Sequence, residues 1–171
     1  MTELYRENLT LPGAPLGEDN PLPYFRNPQT NQPVNMLDSL PAEKKTLFGW
    51  ETGFRVLPYR MQDNYTRQRR PLTLETLVLE NEILKATFLP GLGGRLISLF
   101  DKSQGRELLN VNPVFQPANL AIRNAWFSGG IEWNPGQYGH SVNTCAPVFA
   151  ARIEGLDGEP GLRLYEFERT R

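Results

Sequence analysis

The sequence predicts an all-β domain with long loops, and three observations carry that expectation. Gly and Pro each occur 15 times in 171 residues, together about 18% of the chain, against roughly 12% in average usage. Aromatic residues are frequent at 11%. Short β-favouring runs alternate with turn residues, and no helical repeat is sustained along the chain.

Residues 1–71 read as an extended, Pro-rich arm. Nine of the 15 prolines fall here, at positions 12, 15, 21, 23, 28, 33, 41, 58 and 71. Proline removes a backbone donor and disfavours helix in the residue before it, so this stretch is not expected to supply central strands. Tyr24, Phe25, Phe48, Trp50, Phe54 and Tyr59 give it too many aromatics for a disordered tail. The expectation is an arm wrapped over a sheet. One short helix is expected after Ser39, with Asp38 or Ser39 as cap, Pro41 near the first turn and Glu43 at the favourable end of the dipole.

Residues 72–171 form the second unit. Leu74 to Leu79 is a β-favouring run. Ile83 to Leu89 follows, with Leu84, Ala86 and Phe88 on one face. The turn Pro90-Gly91-Leu92-Gly93-Gly94 leads to a third run, Arg95 to Asp101, giving a three-stranded antiparallel meander. Val148 to Glu154 and Leu162 to Arg169 form a second pair around an Asp157-Gly158 turn signal. A strand so close to the C-terminus leaves an edge open for pairing with another chain or with further sequence.

Charge and composition narrow the function classes. The net charge is -1, and Arg67, Arg69 and Arg70 form the only dense basic spot, which reads as solvated surface or a contact to a neighbouring acidic segment. No nucleic-acid footprint is present. No apolar run is long enough to span a bilayer, no secretory signal precedes the arm, and the lone Cys145 fits a reducing compartment, so a cytoplasmic protein is expected. Metal binding is not expected from one His and one Cys. No cofactor is expected either: the Gly91–Gly94 loop lacks the Lys-Ser/Thr and helix of a phosphate loop.

The informative stretch is 125–140. It holds two of the three tryptophans, the only histidine and a carboxylate. Aromatic faces cover the apolar side of a sugar, while carboxylates, amides and guanidinium groups satisfy its hydroxyls. Candidate ligand contacts are Arg95, Trp126, Trp133, Asn134, Gln137 and Tyr138; candidate catalytic groups are Glu132 and His140. If Ile131 to Asn134 is extended, Ile131 and Trp133 anchor one face and Glu132 and Asn134 present the other to a cleft. The plainer alternatives are core positions for the two tryptophans, an incidental loop His140, and an Arg95 ion pair with Asp101 or Glu107. Glu166 and Glu168 alternate with Tyr165 and Phe167; they read as solvent-side charges on a half-buried strand, the alternative being that one of them faces the same cleft as Glu132.

Several of these segments resemble a known family. Glu80-Asn81-Glu82-Ile83-Leu84-Lys85, Leu89-Pro90-Gly91-Leu92-Gly93-Gly94-Arg95, Asp101-Lys102, Ser128-Gly129-Gly130-Ile131-Glu132-Trp133-Asn134 and Tyr165-Glu166-Phe167-Glu168-Arg169 are similar to a bacterial family of unknown function. Its members carry a galactose-mutarotase-like domain, often followed by tetratricopeptide repeats. The resemblance covers about residues 45–171. It implies an antiparallel β-sandwich with a sugar-binding surface on one sheet, here only its N-terminal part. It also implies that the later histidine and glutamate of aldose epimerases would lie beyond Arg171.

Three functions are compatible with this reading. The first is the N-terminal portion of a carbohydrate-active enzyme acting on a glycosidic bond or the anomeric centre. The second is a non-catalytic sugar-binding module. The third is a fragment without independent function.

Overall fold

The structure, a computed structural model, describes residues 1–25, 37–45, 56–135, 140–167 and 169. Phe48, Trp50 and Phe54 of the arm and Glu168 lie outside the described residues.

The architecture is nearly all β. Its centre is a five-stranded antiparallel sheet in the order β1 (Glu3–Gly13), β4 (Arg70–Glu80), β5 (Leu84–Leu89), β6 (Arg95–Asp101), β7 (Arg106–Glu107). Three two-stranded sheets accompany it: β2 (Pro23–Phe25) with β3 (Val56–Arg60), β8 (Ala118–Ala121) with β9 (Asn124–Trp126), and β10 (Phe149–Glu154) with β11 (Pro160–Tyr165). The single helix among the described residues, α1, is Ala42–Lys45. It starts after Pro41, whose carbonyl accepts from Lys44 N, and it carries Glu43 in its first turn.

The meander expected over 74–101 is present as β4, β5 and β6. The start of the arm differs from the expectation. Residues 3–13 do not wrap over a sheet; they extend it, pairing with β4 from Glu3↔Glu80 to Gly13↔Arg70. The prolines explain how this is tolerated. β1 is an edge strand, and Pro12 and Pro71 face each other at the end of the ladder, beyond the Leu77–Glu80 stretch where β4 also pairs with β5. Pro58 lies in β3, in a small sheet separate from the main one. The last strand ends at Tyr165 rather than Arg169, and β10 is its only strand neighbour among the described residues.

Alternation along the strands, interrupted at Ile97 by a register shift between β5 and β6, assigns the two sheet faces. One face carries Leu9 and Leu11 of β1, Leu72, Leu74 and Val78 of β4, Leu89 of β5, and Arg95 and Ile97 of β6. Its apolar half meets Phe115, Ala125, Phe127 and Cys145 from the segment that follows the sheet, and this is the core. Phe115 and Phe127 meet edge to face at 5.0 Å, a preferred geometry for aromatic pairs. The opposite face carries Leu77, Leu79, Leu84, Ala86, Phe88 and Leu99, each half-buried. Leu84, Ala86 and Phe88 do share a face, but Leu89, on the other side, is the β5 residue in the core.

Two turns lock this layer onto the sheet through glycine. Gly130 has φ 66°, and a Cβ there would stand 2.2 Å from Leu96 O. Only glycine allows the chain to lie so close to β6 that Ile131 N and Leu96 O bond at 2.9 Å. Gly93 plays the same part in the β5–β6 turn: its φ is 70°, its added Cβ would meet Asn143 O at 2.5 Å, and its N donates to Ala146 O.

Candidate functional site

The two glycine turns bring Arg95, from the start of β6, against the 127–132 segment. Arg95 is only 2% exposed. Its Nη1 donates to Phe127 O at 2.5 Å and Gly129 O at 3.0 Å, and its guanidinium lies 3.7 Å from the Phe127 ring centroid. Its Nη2 stands 3.5 Å from Glu132 Oε2 without forming a hydrogen bond, and Nε has no hydrogen-bond partner among the described residues. Burial lowers the Arg95 proton affinity, and the Glu132 charge works against that. Neither Asp101 nor Glu107 is its partner. Asp101 caps the turn at Ser103 and Gln104, and Glu107 accepts from Ser98 and the backbone of Leu99, Leu108 and Leu109.

Glu132 is the hub. Trp126 Nε1 donates to its Oε2 at 2.7 Å, Thr144 Oγ1 to its Oε1 at 2.9 Å, and His140 Nδ1 lies 3.1 and 3.2 Å from the two oxygens. Burial alone would raise the carboxyl pKa. The bonds from Trp126, His140 and Thr144 and the Arg95 charge outweigh burial and hold Glu132 below the ordinary carboxylate range. An ionised carboxylate only accepts hydrogen bonds, so His140 Nδ1 carries the proton of this contact. The His140 side chain is 41% exposed, against 13% for Glu132. His140 also has φ 51°, uncommon for a residue other than glycine, and its ring meets Trp126 edge to face at 5.7 Å. The arrangement can orient an imidazole from behind and leave its outer nitrogen to exchange a proton with a bound molecule.

The alternation expected over 131–134 is seen only over 131–133, with the faces exchanged, and Asn134 does not share the inward side of Glu132. Ile131 and Trp133, expected as anchors, are 37% and 41% exposed, and the carboxylate points inward. The reason is Arg95: a buried guanidinium requires a nearby anion, whereas Trp133 fixes its ring by donating Nε1 to Gly94 O at 2.8 Å. Asn134 is exposed, and its Oδ1 accepts from Ser141 N at 3.0 Å. Thus the structure gathers Arg95, Trp126, Glu132 and His140 in one cluster and sets Trp133 and Asn134 beside it. Gln137 and Tyr138 lie outside the described residues.

Two members were not singled out from sequence. Thr144 is one; its hydroxyl is 2.9 Å from both Glu132 Oε1 and Ser141 O, so its single hydrogen serves one of them at a time. Phe127, under the guanidinium, is the other. The available signal for Thr144 was the polar trio Ser141, Asn143 and Thr144 right after the only histidine; all three are buried. Neighbouring Cys145 is buried as well, and burial pushes its thiol up to about 12, which leaves it unreactive.

Two cavities lie elsewhere, one beneath the sheet around Leu89 and Phe115, the other beside Pro90 and Val148. Among the described residues, no three His, Cys, Asp or Glu side chains group to hold a metal ion, and no helix is long and apolar enough to cross a membrane.

The chain is similar in fold to a TPR-domain containing protein from Parabacteroides distasonis ATCC 8503. The TM-score is 0.61 at 23% sequence identity, over 89% of this chain and 22% of that one. The chain thus spans about a fifth of that protein's length. Residues 53–163, more than half of the chain, match the family described as Domain of unknown function (DUF5107). That interval contains the turn ending in Arg95 and the segment that delivers Glu132, the two stretches whose contact builds the site, and the chain belongs to this family.

Proposed function

We propose that this chain binds carbohydrate at the Glu132 cluster and forms the N-terminal portion of a sandwich of galactose-mutarotase-like type that acts on a glycosidic bond or an anomeric centre. The observation that carries the reading is the Glu132–His140 pair: a carboxylate fixed by three donors and an ion-pair partner, holding an exposed imidazole by its inner nitrogen. His140 Nε2 then takes a proton from a sugar hydroxyl or returns one, and Glu132 stabilises the imidazolium formed in between. The exposed Trp133 ring, locked by Gly94, supplies an aromatic face for the apolar side of the sugar. The apolar opposite face of the main sheet supports the sandwich, since it suits a second sheet packed upon it. The buried, unreactive Cys145 suits a cytoplasmic setting. The open edge of β11 suits pairing with another strand.

One observation favours the second reading, a binding module without catalysis. The partners of Glu132 are Trp126, His140, Thr144 and Arg95, and none is the second carboxylate that glycoside hydrolysis ordinarily needs.

The deciding experiment is an amide NMR titration of the 171-residue chain with common mono- and oligosaccharides, combined with saturation transfer between sugar anomers. Shifts at Trp126, Glu132, Trp133 and His140, with anomer exchange lost in Glu132→Gln, establish the acid/base reading. Shifts that survive Glu132→Gln in part but vanish in Trp133→Ala, without exchange in the native chain, establish the binding module. No shifts in a well-dispersed spectrum remove carbohydrate from the account.

A further inference from the structure

The backbone of His140 is left-handed, with φ 51°. A residue other than glycine keeps such a conformation only where its surroundings impose it. Here both poles of the peptide unit that follows His140 are held. Its carbonyl accepts from Ile122 N at 3.1 Å, in the turn between β8 and β9. Its N–H, that of Ser141, donates to Asn134 Oδ1 at 3.0 Å. A peptide unit is planar, so holding its oxygen and its nitrogen also places the His140 Cα that lies in the same plane. One rotation, about the Cα–C bond, is then left to aim the side chain. The contacts of Nδ1 with the two Glu132 oxygens, at 3.1 and 3.2 Å, settle it.

Asn134 follows Glu132 by two positions. One short stretch therefore carries both the acceptor that holds the imidazole and the acceptor that holds the backbone beneath it. Asn134 is exposed, as a ligand contact would be, but its amide oxygen is turned onto the chain beside the histidine. We infer that Asn134 is a positioning residue: it acts on a bound molecule through His140, by clamping the peptide between residues 140 and 141. What this clamp does for proton transfer rests on the acid/base reading above; the clamp itself does not.

His140 is the only histidine of the chain, so nitrogen-15 labelling of histidine gives a single imidazole. Its two ring nitrogens report which of them carries the proton. Spectra of the 171-residue chain are recorded from about pH 5 to pH 9, on both sides of the ordinary histidine range, so neither charge state is presupposed. In the native chain the deprotonated ring should carry its proton on Nδ1. Asn134→Ala removes the acceptor and should move the ring toward the pattern of free histidine, with the proton mainly on Nε2. Asn134→Asp keeps an oxygen at the same place and should restore the native pattern. An imidazole unchanged in a folded Asn134→Ala chain overturns the inference, even if that variant melts earlier. Weaker sugar-induced shifts with an unchanged imidazole assign Asn134 to ligand contact and overturn it as well. If Asn134→Ala does not fold, hydrogen exchange at Ser141 in the native chain decides. Slowed exchange supports the clamp, and exchange at the free-chain rate overturns it. The ring measurement needs no sugar, so a chain that binds no saccharide defeats the carbohydrate reading and leaves the clamp standing.

Discussion

The sheet face that holds the core carries two charged regions, and they are built differently. At one end Arg95 and Glu132 are 3% and 13% exposed, and the hydrogen bonds they do make run to specific neighbours. At the other end Glu7 pairs with Lys85 at 3.0 Å and Glu80 with Lys102 at 2.7 Å, with side chains between 25% and 48% exposed. Tyr5 adds a hydrogen bond to Glu80. Coulomb attraction is common to both regions, but water is not. In the dry region each charge depends on its partner, because an orphan would remain buried. In the wet region solvent replaces whatever is lost. The dry end is thereby rigid enough to aim an imidazole, and the wet end tolerates exchange.

The sharpest way to break this contrast is to remove the hub. Glu132→Ala leaves the Arg95 guanidinium buried without a counter-ion and strips the partners of Trp126, His140 and Thr144. We expect a loss of about 4 kcal/mol in urea denaturation, with the transition midpoint falling and its slope unchanged. The pH dependence sharpens the point. The folded Glu132 pKa is depressed, so the folded state binds fewer protons than the unfolded one. Its contribution is present above the ordinary glutamate range and is lost as pH falls through the folded value. Thermal scans of the native chain between about pH 6 and pH 3 should show this loss, and Glu132→Gln should flatten part of the acid limb. An unchanged limb would mean that Glu132 titrates as if exposed.

Gly130→Ala attacks the same region through the backbone. The residue sits at φ 66° and its new methyl would meet Leu96 O. We expect a loss of about 3 kcal/mol, together with loss of the Arg95–Glu132 contact, visible as a shifted Trp126 indole NH resonance. Gly158→Ala is the control. Gly158 also has positive φ, at 78°, but nothing lies within 4 Å of an added Cβ, so only about 1 kcal/mol is expected. Thr144→Val is milder than Gly130→Ala, since it keeps the side-chain shape and removes the hydroxyl that faces Glu132 Oε1 and Ser141 O. A loss of about 1–2 kcal/mol is expected, with an upward shift of the Glu132 titration followed by side-chain carboxyl NMR.

How much of this was legible beforehand differs between the two regions in the same way. The strands of the meander are local patterns: Leu74 to Leu79 and Arg95 to Asp101 announce themselves by residue type and by the glycines between them. Glu132 and His140 stood out because they are the acid and the histidine of an aromatic, glycine-rich segment. The inward turn of Glu132 was not legible. It depends on Arg95, 37 positions earlier, being buried, and nothing in Ile-Glu-Trp-Asn distinguishes an acid facing a cleft from one facing a guanidinium. Arg95 itself was read as a ligand contact because arginine serves both roles; its burial is set by Phe127 and by the close approach that Gly130 permits. The strand at 3–13 was obscured by Pro12, whose harmlessness depends on its meeting Pro71 at the end of an edge ladder.

The smallest expected effect lies on the opposite face of the sheet, at a pair still wetter than Glu7–Lys85, and completes the comparison. Arg6 and Glu75 pair at 3.0 Å across β1 and β4, with side chains 74% and 55% exposed. Their attraction competes with water at full dielectric strength, and ordering two long side chains offsets much of what remains. Arg6→Ala should change stability by no more than about 0.5 kcal/mol at low salt, and by nothing measurable at about 0.5 M salt, where the screening length falls to a few ångströms. A double-mutant cycle with Glu75→Ala isolates the pair from any change in strand propensity. A coupling energy above about 1 kcal/mol that persists in salt would show that the β1 edge is held by a specific charge contact. Residues 3–13 would then resemble the Glu132 cluster in depending on a partner, and their attachment could no longer be ascribed to the eleven-residue ladder and to Leu9 and Leu11 beneath it.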